Sequence, residues 1–206
     1  MKIFKLLACT GLLGACASAG IITADFNESL DLPFPSDGGS GPRVEQLLGV
    51  SLPGTPPQLT GADVISNPSK WGNSLEVSFD PSTNILTLFG DGSNVYQIIT
   101  VTLSNLIFDI AGQVVTGIVP ISTGNAVTPG TGDPGNPLTI TPFFTANSFG
   151  VTYTAANITT TENDFDITTD SDTFQVELAT VPEPGTTLLM VIGGLALMFG
   201  RRRRVQ

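Results

Sequence analysis

The 206-residue chain contains no histidine, and its two cysteines, Cys9 and Cys16, both lie in an apolar N-terminal stretch. A body without imidazole or thiol cannot build a Ser-His-Asp triad, a Cys-His nucleophile or a disulfide framework. Positive charge is almost as scarce. Of the 8 Lys and Arg residues, Lys2, Lys5, Arg201, Arg202, Arg203 and Arg204 sit at the two ends. Between the ends, Arg43 and Lys70 stand against seventeen carboxylates, a net charge of about −15. Nothing there can neutralise a run of phosphates, which excludes nucleic acid as a partner. An acidic surface keeps a chain soluble and attracts cations or basic partners. Trp71, Tyr96 and Tyr153 are the only Trp and Tyr residues, few for the aromatic platforms that accompany a carboxylate pair in glycoside cleavage. A Ser-Lys pair would need Ser69 and Lys70, adjacent in the chain with nothing to mark them as buried. No catalytic residue is assigned, and no enzymatic activity is expected.

What is present is clearest at the termini. Lys2 and Lys5 precede an almost wholly apolar run from Ile3 to Leu13, and Ala17-Ser18-Ala19 supplies small residues at the distance a signal peptidase requires. Residues 1–19 therefore read as a secretory signal helix cleaved after Ala19, with Ala17 and Ala19 at the recognition positions. Its apolar stretch partitions into the bilayer while the basic end stays cytoplasmic. Leu13-Gly14-Ala15-Cys16 also resembles a lipobox, which would make Cys16 a lipid-modified N-terminus. A buried N-terminal helix of the mature fold is the third reading.

At the other end, Val181-Pro182-Glu183-Pro184 precedes Gly185, an apolar run from Thr186 to Phe199, and the four terminal arginines. The two prolines stop regular structure upstream. At ~1.5 Å per residue the apolar helix, read as 186–200, is about 22 Å long. That is short of the ~30 Å hydrocarbon core, a mismatch that snorkelling arginines and local thinning can absorb. The arginines at 201–204 hold that end in the cytoplasm. Pro182, Glu183 and Pro184, a short transmembrane helix and the arginine cluster, in that order at the extreme C-terminus, resemble the PEP-CTERM sorting signal of Gram-negative bacteria. The resemblance covers residues 181–206 and implies that exosortase, a membrane protease, recognises the tail and cuts near the motif. It implies further partners: the secretion translocase, signal peptidase and exopolysaccharide. A permanent single-pass anchor is the competing reading of the same residues.

Residues 20–180 form the remaining unit, long enough for one domain with a real core. Leu75, Val77 and Phe79 alternate with Glu76, Ser78 and Asp80, the period of a half-buried strand. Asp80-Pro81-Ser82-Thr83-Asn84 is a turn with Asp first and Pro second, and Ile85 to Phe89 returns as its partner. The same period predicts strands from Gly20 to Asn27, from Ile99 to Ser104, from Leu106 to Ile110 and from Val114 to Ile121. Further strands follow at Leu138–Thr145, Ser148–Ala155, around Phe165 and Ile167, and at Phe174 to Leu178. Val44 to Val50 reads as a short strand or a helical turn. Ser122 to Pro137 reads as a loop too rich in Gly and Pro for regular structure. No amphipathic helix is evident. The expected fold class is all-β: a single antiparallel β-sandwich of jelly-roll or Ig-like type, with a closed barrel as the alternative.

Oxygen-rich stretches are the other candidates for chemistry. Asp164, Asp166, Asp170 and Asp172 fall within nine residues, and calcium takes six to eight oxygen ligands. Asp91-Gly92-Ser93-Asn94 is a second such turn. Neither has EF-hand spacing. The four aspartates are thus candidate calcium ligands, set against a solvated acidic strand edge that discourages edge-to-edge pairing. Asn27-Glu28-Ser29 and Asn157-Ile158-Thr159 match the glycosylation sequon. The sequence points to an exported, non-enzymatic surface or matrix protein, held in the inner membrane in transit with its C-terminus cytoplasmic and then delivered outside. The alternatives are a carbohydrate- or calcium-binding module on the same fold, or a permanently anchored lipoprotein. No other cofactor is expected.

Overall fold

The computed structural model describes residues 20–31, 43–60, 75–90, 92, 98–129, 137–155, 165–181 and 192. The described chain is all-β. Its strands are, in order, β1 (Ile21–Asp31), β2 (Arg43–Ser51), β3 (Glu76–Asp80), β4 (Ile85–Phe89), β5 (Ile98–Phe108), β6 (Gln113–Ser122), β7 (Val127–Pro129), β8 (Leu138–Thr145), β9 (Ser148–Ala155), β10 (Phe165–Ile167) and β11 (Ser171–Thr180). One sheet has five strands in the order β2-β1-β5-β9-β8, and a second has four in the order β3-β4-β11-β6. A two-stranded ribbon pairs β7 with β10. All the pairings between these strands are antiparallel.

The alternation of apolar and polar residues explains why the two sheets share one core. Phe26, Leu30, Ile99, Val101, Leu103, Phe149, Val151 and Tyr153 point inward from the first sheet. Val77, Phe79, Leu86, Leu88, Phe174 and Val176 meet them from the second. The rings of Phe79 and Phe149 lie 5.4 Å apart between centroids, a direct contact across the layers. Burying one such side chain contributes roughly 1.5–3 kcal/mol, so these rows dominate the favourable side of folding. Gly150 permits a close approach within this packing. A Cβ there would sit 2.2 Å from the Val101 carbonyl oxygen and 2.5 Å from the Phe143 ring, so a β-strand position that ordinarily favours a branched residue holds none.

Local pattern and structure differ in two places, and in a third the structure decides between two readings. The strands expected at Ile99–Ser104 and Leu106–Ile110 are one strand, β5. Asn105 adopts φ 50°, and the pairing with β1 shifts register in that region. The bulge changes the phase of alternation without ending the ladder, which is what a β-bulge does. β2 is a strand of nine residues, not a helical turn. Leu47, Leu48 and Gly49 blur its alternation, yet the ladder with β1 runs from Arg43 to Ser51. Val127–Pro129, inside the expected loop, forms β7 because β10 supplies partners for it.

The outer edge of β3 is partly covered. The Gln58 side chain copies a peptide, accepting from the Phe79 N–H at 2.8 Å and donating to the Phe79 carbonyl at 3.2 Å. Leu59 bridges to Val77 alongside. Occupied edge groups cannot template pairing with another chain.

The β3–β4 turn forms as its sequence predicts. Asp80 accepts from the Ser82 hydroxyl at 2.7 Å, the Thr83 hydroxyl at 2.8 Å and the Ser82 N–H at 2.9 Å. These bonds, the Ser82 hydroxyl first and the Thr83 hydroxyl next, hold its carboxyl below the ordinary value of 3.8. The associated stability is present above the ordinary value and is lost as pH falls through the lower folded-state value. Asp80→Asn removes this titration. Between about pH 4 and pH 2, the urea midpoint of that variant is expected to fall less than that of the parent.

Candidate functional site

The region that bears on function is the end of the body where the C-terminal tail leaves it. Phe174 and Val176 place β11 in the core, and β11 lies between β4 and β6 in its sheet. Its final rung pairs Thr180 with Gln113 at the start of β6. Just beyond it, the Val181 N–H donates to the Gly112 carbonyl at 2.8 Å. Gly112 belongs to the β5–β6 turn, which is closed by the Gln113 N–H donating to the Ile110 carbonyl at 3.2 Å. Its φ is 76°, in the left-handed region that favours glycine. A Cβ at Gly112 would lie 2.7 Å from the Val181 carbonyl oxygen. Glycine therefore serves both the turn and the passage of the departing chain.

The other end of the body reaches the same turn. The Gly20 N–H donates to Asp109 Oδ1 at 3.0 Å, and the Asp109 N–H donates back to the Gly20 carbonyl at 3.1 Å. Asp109 and Gly112 are three residues apart. Both chain ends, at Gly20 and Val181, thus leave from one pole, fastened to the two sides of one short turn.

Farther inside, Asp172 joins the two sheets. It lies on β11 in phase with Phe174 and Val176 and is fully buried. Its Oδ1 accepts from the Asn125 N–H at 2.8 Å and the Ala126 N–H at 3.1 Å. Its Oδ2 accepts from the Tyr153 hydroxyl on β9 at 2.8 Å. Burial, and then the Asp172 charge, push the Tyr153 phenol far above its ordinary range. The arrangement binds a strand of each sheet to the segment leading into β7.

The residues singled out by sequence fall as follows. Ala17, Ala19 and Cys16, the motif Pro182, Glu183 and Pro184, the apolar run apart from Ile192, and Arg201, Arg202, Arg203 and Arg204 lie outside the described residues. So do Asp164, Ser69, Lys70, Trp71 and Tyr96. Among the described residues no helix is long and apolar enough to cross a membrane. Asp166 is half-buried on β10, opposite Thr128 of β7. Asp170 is exposed and accepts from the Ser171 N–H at 2.8 Å. Asp172 points away from solvent, into the core. Among the described residues no three His, Cys, Asp or Glu side chains gather where they could hold a metal ion. Tyr153 is buried, with its hydroxyl bonded inward, and presents no face to a sugar.

Two buried carboxylates escaped the sequence reading. Glu28 and Glu45 stand opposite each other across β1 and β2, and both are buried. Glu28 Oε1 accepts from the Leu75 N–H at 3.0 Å. The phase of Glu28 with Phe26 and Leu30 is the signal that could have found it.

The described geometry defines a class: an all-β body whose last strand delivers a C-terminal segment with no intervening linker. That segment identifies the chain further. Residues 180–204 match the family model of the PEP-CTERM protein-sorting motif, so the chain carries a PEP-CTERM sorting domain. The match starts on the final residue of β11. The motif implies export to the cell surface, with exosortase as the processing partner. Nothing matches in the comparisons with curated proteins and with solved structures.

Proposed function

We propose that the chain is a non-enzymatic surface or extracellular-matrix protein: a β-sandwich body, residues 20–180, delivered by its PEP-CTERM tail and associated with exopolysaccharide. The observation that carries this reading is the junction. The last strand ends at Thr180, the last backbone bond among the described residues is made by Val181, and Pro182 of the motif follows at once in the sequence. The body's structured strands stop where the sorting signal starts, so a cut near the motif would leave the sheets intact. Exit of both chain ends from one pole fits the same route. A chain held in the membrane by its signal helix, its tail helix or both presents that pole to the bilayer and the rest of the body outward. No cofactor is assigned, and the chain's function lies in the exposed surface of the body.

Replacement of Pro182-Glu183-Pro184 by three alanines tests the sorting part of this proposal. Under it, fractionation of the producing cells finds the variant in the membrane fraction and the parent at the surface or in the medium. Equal release of the two chains would rule out recognition of the motif. Binding of the body to the host's own purified exopolysaccharide, measured by co-sedimentation, tests the matrix part separately.

A further inference from the structure

The reciprocal bonding of Gly20 with Asp109 takes on a different chemistry once the signal segment is removed. In the precursor the Gly20 nitrogen is a peptide amide that donates its one hydrogen. Hydrolysis of the Ala19–Gly20 bond adds water across it, leaving a carboxylate on Ala19 and an amine on Gly20. That amine is protonated below its ordinary pKa of ~7.7–8.0. The Asp109 Oδ1 atom already lies 3.0 Å from this nitrogen. The Asp109 N–H, 3.1 Å from the Gly20 carbonyl, fixes the same residue from its other side.

We propose that Asp109 is the receptor for the new N-terminus: cleavage converts a neutral hydrogen bond into a charge-assisted one between the Gly20 α-ammonium and the Asp109 carboxylate. The proposal rests on cleavage after Ala19. Charge-assisted bonds are shorter and roughly twice as strong as neutral ones. The pair needs no rearrangement of the fold, because both bonds between Gly20 and Asp109 are already in place. It forms at the turn that also holds Val181, so removal of the N-terminal signal tightens the pole from which the sorting tail departs. Cleavage elsewhere does not build it. A chain starting at Cys16 keeps Gly20 as an internal amide.

The surroundings leave Asp109 as the acidic partner. β5 and β6 carry no titratable side chain. The next acidic residue along β1, Asp25, is engaged by the Gly49 N–H at 2.6 Å and the Asn105 amide at 2.7 Å. On β2, Glu45 is buried facing Glu28. On β11, Glu177 pairs at Gly117, several rungs from the turn. An amine whose folded-state pKa is raised stabilises fully below its unfolded value, and that stability is lost as pH rises through the folded value. The window is therefore mildly alkaline.

The test uses the protein as the producing host exports it. The starting residue is read by N-terminal sequencing, and the α-amine is labelled by reductive ¹³C-methylation. Lys70 is the only lysine outside the signal segment, so the processed chain gives two labelled amines, resolved by NMR. The expected result is a start at Gly20 with an α-amine pKa raised by roughly 0.3–0.7 unit over the same chain in urea. The rise is lost in Asp109→Asn and partly kept in Asp109→Glu. Asparagine can still accept from the amine, so the fold and the neutral bond persist and only the charge is removed. A start at Gly20 with the same α-amine pKa in the parent, in Asp109→Asn and in urea overturns the receptor while leaving the cleavage reading intact. A start at Cys16 overturns both.

Discussion

Asp172→Ala is expected to destabilise the body by about 3–5 kcal/mol, the range seen when one partner of a buried polar network is removed. Three donors lose their acceptor together: the Asn125 and Ala126 N–H groups and the Tyr153 hydroxyl. Each buried donor left unsatisfied costs ~1–3 kcal/mol. Alanine is too small for the site, and water would need to enter the core to which Leu88, paired with Asp172, belongs. Domains of this size are stable by only ~5–15 kcal/mol, so roughly a fifth or more of the total is at stake. Tyr153→Phe removes one donor and leaves Oδ2 without a partner, at a cost of roughly 1–3 kcal/mol. Because the two residues share a bond, the double variant should lose less than the sum of the single losses. Urea denaturation of the four chains checks both statements. A loss below about 1 kcal/mol for Asp172→Ala would show that this carboxyl does not hold the sheets together.

Asp172 also shows what the sequence disclosed and what it concealed. Read with Asp164, Asp166 and Asp170, it belongs to an acidic run and suggests an exposed edge or ion ligands. Read with Phe174 and Val176, it occupies the inward phase of a strand. The phase gives the position, because side chains two residues apart must share a face. The same rule makes β3, β4 and the inward rows of β9 and β11 legible from alternation alone. It fails at Asn105, where a bulge shifts the phase inside one strand, and at β7, whose three residues are ordered by β10 and not by their own preference. The meeting of Gly20 and Val181 at one turn could not be read locally. It depends on which strands neighbour one another, and residues eighty-nine apart are brought together only by that order.

The tail was the most legible part, because its signal is linear: motif, apolar run and arginines in sequence. The second large effect concerns that tail. Read as a helix, the apolar run would span only about 22 Å, short for a permanent crossing of a ~30 Å core. A body whose sheets end at Thr180 loses none of its strands when the segment beyond is cut away. Removal of exosortase from the producing cell is therefore expected to move nearly all of the protein from the surface or medium to the membrane fraction, an all-or-none redistribution with no change in the fold of the body. A partial shift would mean that a second route of release operates.

Intact mass of the chain, isolated from the same strain with and without exosortase, tests this account most directly. With exosortase present the chain is expected to have lost the arginine cluster and the apolar run, and without it to retain both. A chain that retains the arginine cluster and the apolar run in both strains would contradict this and leave a permanent anchor in its place.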